Sequence, residues 1–147
     1  MTKGITLDAG YVQGIILLTR ISLGWYVMNA GWEKVQRELA GGAGTFLRSD
    51  TFQRRSDILP EFLATPFGYM WPWLELSSGF LLIIGLFART TAAVMAWLLL
   101  SITIAVVSSG DEFFPRHYLM VFVPLALLLC ALGPGRYSVD SFRQAQR

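Results

Sequence analysis

Residues 71–109 read WPWLELSSGFLLIIGLFARTTAAVMAWLLLSITIAVVSS, and only Glu75 and Arg89 carry charge in the whole run. About 20 predominantly apolar residues cross the roughly 30 Å hydrocarbon core of a bilayer as a helix. This run holds two such lengths, residues 71–88 and 90–109, separated only at Arg89-Thr90-Thr91. It therefore reads as two antiparallel membrane helices in a tight hairpin, because backbone exposed to lipid must satisfy its own hydrogen bonds.

Two further runs flank the hairpin. Upstream, residues 11–32 read YVQGIILLTRISLGWYVMNAGW; downstream, residues 117–132 read HYLMVFVPLALLLCAL and stop at Gly133-Pro134-Gly135. Pro124 predicts a kink in the last of these. The expected fold is an all-α, integral membrane, antiparallel four-helix bundle, a single domain over residues 1–147 with a long loop between helices 1 and 2. No small-residue cleavage site precedes Arg20, so the first apolar run reads as a retained helix and not as a signal peptide.

Composition agrees. With 54% hydrophobic and only 15% charged residues, the chain is too apolar for an ordinary soluble domain of this size. Net charge is +2 with acids and bases mixed, so no basic stripe points to nucleic acid. One cysteine, Cys130, excludes an internal disulfide or a cysteine-ligated cluster. One histidine, His117, excludes bis-histidine haem in a single chain, and no metal or haem is expected.

The stretch between the first two spans, about residues 33–70, mixes charges with Phe46, Phe52, Phe62 and other apolar residues. It reads either as an interfacial lid over the bundle mouth or as a solvated loop with one amphipathic helix. The charge balance of the short segments places both termini in the cytoplasm and the long loop outside.

Charges inside apolar spans are costly, and they face a bundle interior, find partners and carry function. Here they are Arg20, Lys34, Glu75, Arg89 and His117 with its neighbour Arg116. On helix 1, Arg20, Gly24, Val27, Gly31 and Lys34 share an arc from which Glu33 points away. On helix 2, Glu75, Ser78, Gly79, Leu82, Leu86 and Arg89 form a similar stripe. Small residues in such stripes let membrane helices approach closely. Antiparallel threading brings Lys34, Glu75, Arg116 and His117 to one end, among Trp71, Trp73 and Tyr118, with Asp111 and Glu112 in the next connection. Arg89 falls at the opposite end, and Arg20 lies half-way down, needing a partner or a wet cavity. Lys34, Arg89 and Arg116 also admit simple snorkelling to the interface, and Glu75 also suits a helix N-terminus electrostatically.

These same residues carry a resemblance. RISLGWYVMNAGWEKV, ELSSGFLLIIGLFARTTA and GPGRYSVD resemble, in order, the first helix, the glutamate-led second helix and the closing Gly-x-Gly-Arg-x-x-x-Asp segment of the DoxX/DoxD family. The long loop between helices 1 and 2 is similar to the DoxD side. The resemblance implies a four-helix membrane protein of a bacterial or archaeal cell membrane. For DoxD-like members it implies the membrane subunit of a thiosulfate:quinone oxidoreductase, with quinone as electron acceptor and a separate DoxA-like or other membrane or periplasmic redox partner. A homo-oligomer is a further expectation.

In such chemistry Glu75 and His117 are the candidate catalytic proton carriers. Lys34, Arg116, Arg20, Trp71 and Tyr118 are the candidate substrate-binding residues, the cations for a small anion and aromatic groups such as Trp71, Trp73 and Phe67 for a flat ring. Two other functions stand beside this one: a non-catalytic scaffold that anchors a redox complex, and a small-anion carrier lined by Arg20 and Arg89.

Overall fold

The computed structural model describes residues 9–57, 60–110 and 116–146, with the side chains of residues 9, 116–119 and 144 outside the description. It is all-helical: α1 (Ala9–Gly41), α2 (Asp50–Ser56), α3 (Glu61–Ile84), α4 (Ala88–Ser108), α5 (Arg116–Leu132) and α6 (Val139–Ala145).

The four long helices alternate in direction. Gly24 on α1 faces Gly79 and Ile83 on α3, and Gly31 faces Glu75 and Leu76, so α1 and α3 run antiparallel. Arg89 at the start of α4 lies beside Gly133 at the end of α5, while Gly135 sits on Gln13 and Ile16 at the start of α1. Small residues set the α1–α3 distance: a Cβ on Gly24 would stand 2.8 Å from the Gly79 carbonyl oxygen, and one on Gly31 would stand 2.9 Å from Glu75 Cβ. Ile16, Leu23, Val27, Leu82, Met95 and Leu99 fill the core that the helices enclose. The helices pair most closely as α1 with α3 and α4 with α5, and a looser seam remains between α3 and α4.

Several element ends depart from the reading of the sequence. Helix 1 continues past Trp32 to Gly41, and α3 begins at Glu61, ahead of Trp71. Most of the supposed loop is therefore helical, including α2, which Ser49 caps by accepting from Phe52 N–H at 3.3 Å. Residues 43–48 form a compact turn fastened by Glu38, whose carboxylate accepts from Gly44 N–H at 2.7 Å and Phe46 N–H at 2.6 Å. Glu38 is buried for that reason. The hairpin turn is at Gly85–Phe87 and not at Arg89-Thr90-Thr91. Gly85 ends α3 with φ of 71°, a left-handed conformation that glycine adopts without a Cβ penalty. Arg89 thus belongs to the first turn of α4 and is exposed, so the α3 stripe ends without it.

The C-terminal segment closes this end of the bundle. Asp140 accepts from Phe87 N–H at 3.0 Å and Ala88 N–H at 2.8 Å, supplying from a distance the cap that the N-terminus of α4 lacks locally. Gln13 accepts from Arg136 N–H at 2.8 Å.

Among the described residues only α4 is long and apolar enough, by length and composition, to cross a membrane; Met120–Leu132 is a shorter apolar helix. The other expected spans are helical but fall short of that standard. Arg20 and Glu75 break the apolar runs of α1 and α3, yet each is only 2% exposed. The outer faces carry instead Ile15, Leu18, Trp25, Phe80, Leu100 and Leu128, all exposed. Exposed apolar surface on this scale marks contact with lipid or with another protein.

Candidate functional site

One glutamate organises the α2 end of the bundle. Glu75 Oε2 pairs with Lys34 Nζ, and Glu75 Oε1 accepts from Trp71 Nε1 at 2.8 Å. Trp71 and Glu75 are four residues apart on α3, so helical geometry stacks them on one face. Lys34 lies three residues after Gly31 on α1, and that glycine allows α3 close enough for the ammonium to reach the carboxylate. Glu75 is buried at 2% exposure, whereas the Lys34 side chain keeps 21%. The ammonium also lies 5.5 Å from the centroid of Phe46, a cation–π distance that ties the turn after α1 to the ion pair.

A cavity of about 580 Å³ opens from this pair into the seam between α3 and α4. Aromatic rings wall it: Phe67, Trp71 and Trp97 stand with centroids 5.7–6.3 Å apart. Helix α2 covers one side through Thr51, Phe52, Arg55 and Ser56, which favours the lid reading of the connecting segment over a solvated loop. A volume in this range suits a small organic ligand, and a mostly apolar wall with a few fixed polar groups is the usual build of such sites. The three rings form an aromatic wall against which a ring could lie, next to the Lys34 ammonium.

The expected site residues divide. Lys34, Glu75 and Trp71 meet in one cluster, as the threading of the helices predicts. Phe67 joins them. Arg20 does not: it is buried at the opposite end, where its guanidinium donates to the carbonyls of Pro134 and Tyr137, and it lines no part of the cavity. The C-terminal segment folds back to solvate it, so the partner that its depth demands is backbone. Trp73 turns outward at 51% exposure. Glu33, read as pointing away, lines the cavity after all. The side chains of Arg116, His117 and Tyr118, together with Asp111 and Glu112, lie outside the described residues, so their place relative to Glu75 is not part of this geometry.

Arg37, Arg55 and Trp97 line the cavity without having been singled out from sequence. Arg37 was legible: it follows Lys34 by three residues, on the same helical face, once α1 is carried past Trp32. Nothing local marked Trp97 or Arg55, which reach the site through tertiary packing. Among the described residues no group of histidine, cysteine and acidic side chains is placed to hold a metal ion.

A family model described as DoxX matches residues 15–108. The matched range contains Arg20, Lys34 and Glu75 and ends before α5 and the GPGRYSVD segment. No curated protein and no solved structure matches the chain. The match spans well over half of the sequence and takes in both the α1–α3 glycine contact and the ion pair built on it, so the chain belongs to the DoxX family of membrane proteins.

Proposed function

We propose that this chain is the membrane subunit of a DoxD-type oxidoreductase that delivers electrons from a small sulfur anion, thiosulfate or a close relative, to quinone. In this reading α1, α3, α4 and α5 span the bilayer with both termini cytoplasmic, and the α2 end faces outward. One observation carries the reading: a buried Lys34–Glu75–Trp71 cluster at the inner end of an aromatic cavity. Quinone reduction takes up two electrons and two protons, and oxidising two thiosulfates to tetrathionate releases two electrons and no protons. Protons must therefore come separately, and in this reading Glu75 relays them. In the same reading Lys34 donates to a ring carbonyl. The electron pair passes directly between substrates or through a DoxA-like partner subunit.

A scaffold role has its own support, because the ion pair also fastens α1 to α3 and both Glu75 oxygens are already satisfied. The carrier reading loses its basis, since Arg20 is held by two carbonyls and neither Arg20 nor Arg89 lines the cavity. Purified protein in nanodiscs, given thiosulfate and a soluble quinone analogue, tests the proposal. Quinol should form, and ring binding should quench tryptophan fluorescence from Trp71 and Trp97. Glu75→Gln should abolish turnover while binding persists. A wild-type protein that neither binds nor reduces the analogue, with or without a partner subunit, leaves the scaffold as the account.

A further inference from the structure

On α3, Leu63, Phe67, Trp71 and Glu75 follow one another at four-residue intervals, so they form a single stripe. All four line the cavity. Their exposure falls along the stripe: Leu63 is 38% exposed, Phe67 is half-buried, Trp71 is 8% and Glu75 2% exposed. Facing it on α4, Trp97, Ser101 and Ile104 form a second stripe, and Ile104 is 51% exposed while still lining the cavity. Leu63 and Ile104 thus line the cavity and also reach the surface, and both are apolar. An opening used by a water-borne ion would be expected to carry polar groups; here the charged lining residues come from α1, with Glu33 and Arg37, and from α2, with Arg55.

Length points the same way. Twelve residues separate Leu63 from Glu75, which at 1.5 Å per residue is about 18 Å of helix. A single ring held at Trp71 and Lys34 occupies only the inner part of that track. The outer part is bordered on α3 by Leu63 and Phe67, which offer apolar wall and nothing to hydrogen-bond.

We infer that the cavity is loaded laterally from the bilayer through the opening between Leu63 and Ile104, and that its occupant is a tailed amphiphile. A carbonyl-bearing head would sit at Lys34 and Glu75, and an apolar chain would run out along the Leu63–Phe67 stripe into lipid. This rests on the reading of the site as a quinone site and adds the entry route and the need for a tail.

The experiment uses the full chain in nanodiscs with two quinone analogues, one tail-less and one isoprenoid-tailed with a photoreactive group part-way along the tail. Irradiation should label peptides containing Leu63 and Ile104. Leu63→Phe and Ile104→Phe, both at exposed positions that tolerate bulk, should slow loading of the tailed analogue by about tenfold and leave the tail-less one within about twofold. Labelling confined to the Arg37 margin would overturn the inference. So would equal affinity for both analogues, with neither variant discriminating between them; ring binding would then survive, and with it the quinone site. Failure of both analogues to bind the unmodified protein removes the site itself. Displacement of the tailed analogue by excess phospholipid alone would assign the track to bilayer lipid and overturn the proposal for a quinone.

Discussion

Removing Lys34 alone should cost far more than removing both members of the Lys34–Glu75 pair. Lys34→Met leaves a carboxylate at 2% exposure with one remaining donor, Trp71 Nε1 at 2.8 Å. Breaking a buried ion pair from one side typically costs about 3–5 kcal/mol. The retained indole bond and the 21% exposure of Lys34 place this case at the low end, near 3 kcal/mol. Glu75→Gln keeps an acceptor for Trp71 and leaves a lysine able to extend toward water, so about 1–2 kcal/mol is expected. If the effects were independent, the double variant would lose roughly 4–5 kcal/mol. With neither charge left to be stranded, it should lose only about 1 kcal/mol, a coupling of about 3 kcal/mol. Reversible unfolding in mixed micelles, followed by tryptophan fluorescence, measures all three variants. Single-variant losses below about 0.5 kcal/mol that simply add would refute the buried pair. The double variant also separates stability from function: it should be folded and yet fail to reduce quinone.

Three further outcomes are expected. Gly31→Ala places a Cβ 2.9 Å from Glu75 Cβ and should cost about 1–3 kcal/mol in the same assay, whereas Gly14→Ala, with open space around it, should be neutral or stabilising by up to about 1 kcal/mol. Asp140→Ala removes the acceptor for two amides at the start of α4 and should cost about 1–2 kcal/mol, with hydrogen exchange rising at Phe87 and Ala88; unchanged exchange there would show that the cap is not formed. In a Cys130→Ala background, Gln53→Cys and Gln146→Cys should react with an impermeant maleimide from opposite sides of the membrane, and reaction from one side only would refute four spans.

How much of this was legible depends on where each signal resides. Apolar runs fixed the long helices because mean hydropathy is a local property. The ion pair was legible too: Gly31 and Lys34 on one stripe, and Glu75 with Ser78 and Gly79 on another, are pattern enough once antiparallel threading is assumed. Helix ends were not, since Glu33 to Gly41 is polar and hydropathy marks where lipid contact stops and not where hydrogen bonding stops. The turn at Gly85 was missed for a related reason, as charge at Arg89 looked like a boundary while the left-handed glycine was the actual one. The partners of Arg20 were not legible, because they are backbone carbonyls more than a hundred residues away in sequence. A carbonyl leaves no residue-type signature.

The two deep charges divide the molecule into a fastened end and an open one. At the Gly85 end, Arg20 holds the C-terminal segment, Asp140 caps α4, and Gly133 packs on Arg89. Each of these joins elements distant in sequence, so movement there would have to break several contacts at once. The link between the helix pairs is slight, and at the α2 end a cavity occupies the space that closer packing would fill. A seven-residue helix carries little stability of its own. It is held by its cap and by Phe46 against Phe52, whose ring centroids lie 5.1 Å apart. Local opening draws on the segments with the fewest buried contacts. Any motion that admits a ligand should therefore be confined to α2 and the outer turns of α3 and α4. Hydrogen exchange tests this directly: residues 50–56 should exchange much faster than the Gly85 end, and a bound tailed quinone should protect α2 while leaving Phe87 and Ala88 unchanged. Equal protection at both ends would mean that the bundle opens as one body, and the division into a fixed and a yielding end would not stand.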